Sequence, residues 1–163
     1  MKNFRFQDKT DIRFGTGRLD VELHDAVSQF GSRVLFVYGG HSIKKSGLYD
    51  TVTGLLADLQ LTELPGIEPN PKIDSIRAGQ KLAKDQDIDV VLAVGGGSVI
   101  DAAKVIASAK FYEGDPWDLV KDRGVTRRKL QQLPVVDILT LAATGSEMNS
   151  CLLYTSPSPR DTR

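Results

Sequence analysis

Asp89-Val-Val-Leu-Ala-Val94 runs into Gly95-Gly-Gly-Ser98 and then into Val99-Ile-Asp-Ala-Ala-Lys104. Six residues dominated by valine and leucine predict a strand buried on both faces, and three glycines stop it. Val99, Ala102, Ala103 and Ile106 then recur at helical spacing, so a helix leaves the turn with one apolar face. Working outward, Arg33-Val-Leu-Phe-Val-Tyr38 is a second strand of the same kind, stopped by Gly39-Gly40. Leu133-Pro-Val-Val-Asp-Ile-Leu139 is a third, and all three are apolar enough to be expected inside a sheet covered on both sides. Leu48, Val52, Leu55 and Leu56 mark one intervening helix, and Ile73, Ile76 and Leu82 another. Gly17 to Gln29 is expected to form a first helix, and Thr10 to Gly15 a strand paired elsewhere. Strands alternating with helices predict an α/β fold with a doubly wound, mostly parallel sheet.

Composition narrows the function. The chain has 163 residues, with 21 Lys plus Arg against 21 Asp plus Glu, and 40% apolar residues. Balanced charge argues against a nucleic-acid stripe or an acidic tail. Cys151 is the single cysteine, so disulfide scaffolds and thiolate zinc sites are excluded, and only His24 and His41 could serve as imidazole ligands. No run approaches the roughly 18 apolar residues that cross a bilayer, and the start has no signal-peptide core. The expectation is a cytoplasmic protein with no membrane or nucleic-acid partner. Lys121 to Arg128 is expected to be a solvated basic loop.

Three places can carry chemistry. The turn Gly95 to Ser98 puts free backbone N–H groups and the positive end of a helix dipole beside glycines that lack a Cβ, which suits a phosphate. The same turn suits any tight strand-to-helix connection, with Ser98 and Asp101 at capping-pair spacing. The spacing matches neither the P-loop pattern nor G-x-G-x-x-G. At the end of the Arg33–Tyr38 run stands Tyr38-Gly-Gly-His-Ser-Ile-Lys-Lys45, where a dinucleotide fold reads the adenosine ribose. No carboxylate stands in that segment to accept from a 2′-hydroxyl. Small Gly39 and Gly40, the Ser42 hydroxyl and the charges of Lys44 and Lys45 suit a phosphorylated ribose, favouring NADP(H) over NAD(H). His41 is expected at the surface. Past the third strand, Thr140-Leu-Ala-Ala-Thr-Gly-Ser-Glu-Met-Asn149 offers hydroxyls and an amide that could bond a cofactor without adding charge near a hydride-transfer centre. Thr144 and Glu147 also have capping-box spacing, so a plain helix start fits as well.

Tyr38-Gly-Gly-His-Ser, Gly66-Ile-Glu-Pro-Asn-Pro71, Gly95-Gly-Gly-Ser-Val-Ile-Asp-Ala-Ala-Lys104 and Thr140-Leu-Ala-Ala-Thr-Gly-Ser-Glu-Met-Asn149 together resemble, in order, the N-terminal half of iron-containing (group III) alcohol dehydrogenases. Within that family the likeness is to NADPH-dependent aldehyde reductases and butanol dehydrogenases, and it runs from about Phe4 to Ser150. The resemblance implies a Rossmann-like domain of the dehydroquinate synthase-like fold over residues 1–150. It also implies a following helical domain, in which one Asp and three His hold a divalent metal, iron or zinc. The matching cofactor positions are Gly40 and Ser42 at the adenosine end, Asn70 of the Pro-Asn-Pro loop, and Gly97 and Ser98 at the pyrophosphate. Thr140, Thr144 and Asn149 match positions nearer the nicotinamide, while Asp101 is expected to be structural. No catalytic residue or metal ligand is expected within these 163 residues.

Cys151 to Asp161 departs from the pattern: it has neither period, and Pro157 and Pro159 interrupt it. It resembles the translation of a sequencing adapter, so residues 151–163 are expected to be a non-native tail and the natural protein to continue past Ser150. The complete parent is then expected to be a homodimer acting on small primary alcohols or aldehydes, and this piece alone to be inactive. Glycerol dehydrogenases and dehydroquinate synthases share the Gly-Gly-Gly-Ser turn and form the alternative within the superfamily. A free-standing nucleotide-binding module and a flavodoxin-like signalling domain are the alternatives outside it.

Overall fold

The structure is a computed structural model that describes residues 10–121, 126–143 and 145–149. Thr144, the segment Cys151 to Asp161 and the Phe4 end of the resemblance lie outside the described residues. The chain order is α1 (Arg18–Ser28), β1 (Arg33–Tyr38), α2 (Ser42–Lys45), α3 (Leu48–Leu55), β2 (Gln60–Leu64), α4 (Ile73–Asp85), β3 (Val90–Gly95), α5 (Gly97–Ala109), α6 (Asp118–Lys121) and β4 (Val135–Leu139). Short 3₁₀ turns follow at Arg127–Lys129 and Ser146–Met148.

The four strands form one parallel sheet in the order β2-β1-β3-β4. Alternation along β1 explains why both faces are covered. Val34, Phe36 and Tyr38 point to one side, where Leu23 and Val27 of α1 and Val52 of α3 bury them, and Leu35 and Val37 point to the other, beneath α4 and α5. β3 repeats this with Val90, Leu92 and Val94 against Val91 and Ala93, so the sheet is doubly wound. α5 is nearly engulfed, with Val99, Ala102, Ala103 and Ile106 all buried. It packs against α4 at Gly79, where a Cβ would stand 2.4 Å from Ile106 Cδ1, so the two helices approach through the missing side chain.

Several expectations need correction. Thr10 to Gly15 is not a strand: it is irregular, with Ile12 58% and Phe14 93% exposed, so no apolar face is buried to repay pairing. β4 is not buried on both faces but half-buried throughout, because among the described residues only β3 flanks it. β2 carries no continuous apolar run and was not expected as a strand; Gln60, Thr62 and Glu63 suit an edge position. Residues 122–125 of the basic stretch Lys121 to Arg128 lie outside the described residues, but Arg127 is not solvated as expected. Lys121 ends α6, and Arg127 is buried within a 3₁₀ turn.

An ion pair fastens the amino end of the sheet. Asp89, just before β3, accepts from Arg33 Nη2 at 2.5 Å, from Arg33 Nε at 3.1 Å and from the Arg33 backbone N–H at 3.0 Å. The Arg33 side-chain bonds hold the carboxyl down to about 2, against an opposing push from burial. A depressed folded pKa stabilises above the unfolded value near 3.8 and loses that stability as pH falls toward 2. With Arg33 39% exposed, solvent screening leaves about 1–2 kcal/mol of this linkage. Asp89→Asn is therefore expected to lower stability by that amount at pH 7. Denaturant titrations should show the gap closing between pH 4 and pH 2, and a gap independent of pH would contradict the assignment.

Candidate functional site

Parallel pairing brings the carboxyl ends of all four strands to one edge of the sheet. Val37 aligns with Leu64, Tyr38 with Val94, and Gly95 with Leu139. β1 connects onward to β2 on one side while β3 connects to β4 on the other. The chain therefore diverges between β1 and β3, which opens a crevice above their ends. Four loops meet there, those after Tyr38, Leu64, Gly95 and Leu139. Gly66 N–H donates to Gly39 O at 3.0 Å and Ile67 N–H to Tyr38 O at 3.1 Å, tying the second loop to the first. Thr140 N–H donates to Gly95 O at 3.0 Å, tying the fourth to the third.

α5 begins directly at the crevice. Gly96 is its N-cap in extended conformation with no side-chain cap, and Gly96 O accepts from Val99 and Ile100 N–H. The amides of Gly97 and Ser98, in the first turn, have no acceptor further back in the helix, and the dipole places partial positive charge on them. Gly95 is required by packing, since a Cβ would lie 2.6 Å from Val99 Cγ2. A Cβ at Gly40, by contrast, would meet nothing within 4 Å, so open space stands at the end of β1.

Ser98 is not a capping partner of Asp101. Its Oγ accepts from Asn70 N–H at 3.3 Å, which docks the Pro-Asn-Pro loop onto α5 and leaves the hydroxyl proton free to donate elsewhere. Asn70 has φ +56°, a left-handed conformation that asparagine tolerates better than most side chains. Asp101 is 2% exposed and pairs instead with Lys104 Nζ at 2.9 Å. Lys104 then donates to Ser146 O at 3.0 Å and Asn149 O at 3.2 Å, so this pair anchors the arch 145–149 to the helix. Sequence reasoning gave Lys104 no role, although its i,i+3 spacing from a buried-face aspartate was the available signal.

The structure thus gathers Gly40, Asn70, Gly97, Ser98 and Thr140 around one crevice, with exposed Ser42 at the start of α2 beside it. Asn149 is placed differently: its side-chain amide donates to Gly145 O at 2.8 Å and holds the arch closed. Thr144 falls outside the described residues. A cleft of about 1180 Å³ lies along the outer side of β4 between α1 and residues 10–15, lined by Arg13, Leu19, Asp137 and Thr140 among others. Gly15 and Arg18, at the start of α1, line it as well, but the glycine turn at 95–97 and the start of α5 do not. Burial above all, and then the charge of Glu147, raises the Asp137 carboxyl within it. Among the described residues no three His, Cys, Asp or Glu side chains group as a metal site would require, and no helix is long and apolar enough to cross a membrane.

A doubly wound parallel sheet with glycine turns converging on its carboxyl edge defines a nucleotide-binding class of fold. The iron-containing alcohol dehydrogenase model matches residues 9–162, and the chain belongs to that family. NADH-dependent butanol dehydrogenase A of Clostridium acetobutylicum is 45% identical over 151 residues, covering 91% of this chain and 38% of that protein. The NADPH-dependent aldehyde reductase YqhD of Escherichia coli is 40% identical over 152 residues, covering 92% and 38%. The crystal structure of NADH-dependent butanol dehydrogenase A from Thermotoga maritima superposes with a TM-score of 0.86 at 39% identity, over 96% of this chain and 39% of that one. The chain therefore spans about two fifths of the length of these relatives.

Proposed function

We propose that residues 1–150 form the dinucleotide-binding part of an oxidoreductase that passes hydride between a nicotinamide cofactor and a small primary alcohol or aldehyde. The observation that carries this reading is the convergence of Gly40, Asn70, Gly97 and Ser98 on the crevice between β1 and β3. In it, the first-turn amides of α5 receive the pyrophosphate, assisted by the Ser98 hydroxyl. Gly40 and Ser42 border the adenosine ribose, and Thr140 lies toward the nicotinamide. The absence of a carboxylate from Tyr38 to Lys45, with Lys45 nearby, supports NADP(H) over NAD(H). Relatives named for each cofactor are similar to this chain, so the preference rests on these residues.

The cofactor supplies the hydride chemistry; the chain supplies binding and orientation. In a complete parent, a divalent metal polarising the substrate oxygen would complete the reaction, and the described residues offer no ligand set for it. Titrating the chain with NADPH and NADH by coenzyme fluorescence should show both binding, NADPH more tightly. The same sample with butyraldehyde and added Fe²⁺ or Zn²⁺ should show no turnover. Failure to bind either coenzyme would contradict the proposed site, and metal-dependent turnover would contradict the division of labour.

A further inference from the structure

Behind the loop that follows β1 lies a cluster whose Glu63 and Tyr49 are not among the expected site residues. Glu63, on the edge strand β2, accepts from Tyr38 Oη at 2.5 Å and from Tyr49 Oη at 2.7 Å. The two rings meet edge to face with centroids 5.8 Å apart. Lys44 Nζ sits over both, 4.7 Å from the Tyr49 centroid and 5.6 Å from that of Tyr38. Tyr38 is the last residue of β1, directly before Gly39-Gly40, and Lys44 lies two residues after Ser42. The cluster therefore grips the loop where the adenosine ribose is placed.

Each partner has a distinct physical part. The bonds from Tyr38 and Tyr49 keep the Glu63 carboxyl below its ordinary range, so it is ionised at neutral pH and attracts the Lys44 ammonium. The phenol rings present their negative faces to the same ammonium. Lysine is a compact point charge on a flexible stem, so where it rests depends on such neighbours. Without them, the stem can swing toward the loop and set its charge beside a ribose 2′ substituent.

We propose that Glu63 and Tyr49 are positioning residues that hold Lys44 against the aromatic pair and so withhold its charge from the ribose 2′ position. The choice between NADP(H) and NAD(H) is then set partly from β2, through Lys44, and not by the loop after β1 alone. This rests on the cofactor reading above. Glu63 restrains a preference that Lys44 would otherwise strengthen.

Two measurements test it separately. The first is the rate of lysine acetylation by an amine-reactive reagent, read by mass spectrometry on the chain without nucleotide. Although both side chains are exposed, Lys44 should react at least three-fold more slowly than Lys45, and E63Q should bring the two rates together. Equal rates in the unaltered chain would overturn the restraint. The second is the ratio of dissociation constants for NADH and NADPH. E63Q keeps an acceptor for Tyr38 and lies on an exposed edge, so the fold should tolerate it. It should shift the ratio toward NADPH by five-fold or more, and adding K44M should cancel the shift. No shift, or a shift that survives without Lys44, would overturn the specificity role. Slow Lys44 labelling with neither coenzyme bound would remove the cofactor site and the specificity role together.

Discussion

Replacing Ser98 by aspartate is expected to weaken NADPH binding by at least a hundred-fold while making the fold slightly more stable. The carboxylate would sit in the first turn of α5, beside the amides assigned to the pyrophosphate. Two charges about 4 Å apart repel by about 4 kcal/mol at an effective dielectric near 20, more than a hundred-fold requires. The same charge complements the helix dipole, by about 0.3–1 kcal/mol, and can still accept from Asn70 N–H, which now bonds Ser98 Oγ at 3.3 Å. Binding and stability therefore move in opposite directions, which simple damage to the fold cannot produce. Ser98→Ala should cost about ten-fold or less, since it removes one hydrogen bond and adds no charge. Fluorescence titration and thermal melting of both variants check this. A Ser98→Asp chain that binds NADPH normally would place the phosphates elsewhere.

The second large effect is expected at Asp101. Its side chain is 3% exposed and that of Lys104 16%, so Asp101→Ala leaves a poorly solvated ammonium without its carboxylate. Breaking such a pair should cost about 3 kcal/mol, which for a domain of this size lowers the melting temperature by roughly 6–12 °C. Replacing both partners, with D101L and K104M together, should recover much of the loss because no charge remains buried. A single-variant loss below about 1 kcal/mol in urea denaturation would mean that the carbonyls of Ser146 and Asn149 suffice for Lys104.

The two central strands were readable because burial on both faces demands continuous apolar runs, and Arg33 to Tyr38 and Asp89 to Val94 supply them. The helices were readable from Val52, Ile76 and Ala103 recurring at helical spacing. What escaped the sequence lies at the edges. β2 pairs along one side only and so can carry Gln60, Thr62 and Glu63, which hides it from a search for apolar runs. Thr10 to Gly15 has the alternation of a strand, but Ile12 and Phe14 stay largely exposed. At the site, glycines announced themselves because strand-to-helix turns and phosphates need the same residue. Contacts between distant segments did not: Ser98 with Asn70, Lys104 with the 145–149 arch, and Glu63 with Tyr38 and Tyr49 each join residues at least 14 positions apart. Local spacing carries no record of such pairings until the sheet brings the segments together.

The start of α5 is the proposed pyrophosphate site. Backbone amide shifts followed by two-dimensional NMR as NADPH is added to the ¹⁵N-labelled chain test it most directly. The largest changes are predicted at Gly96, Gly97 and Ser98, with smaller ones at Gly40 and Asn70. Saturable changes centred instead on the cleft beside β4, around Arg13, Leu19 and Asp137, with Gly97 and Ser98 unmoved, would contradict it.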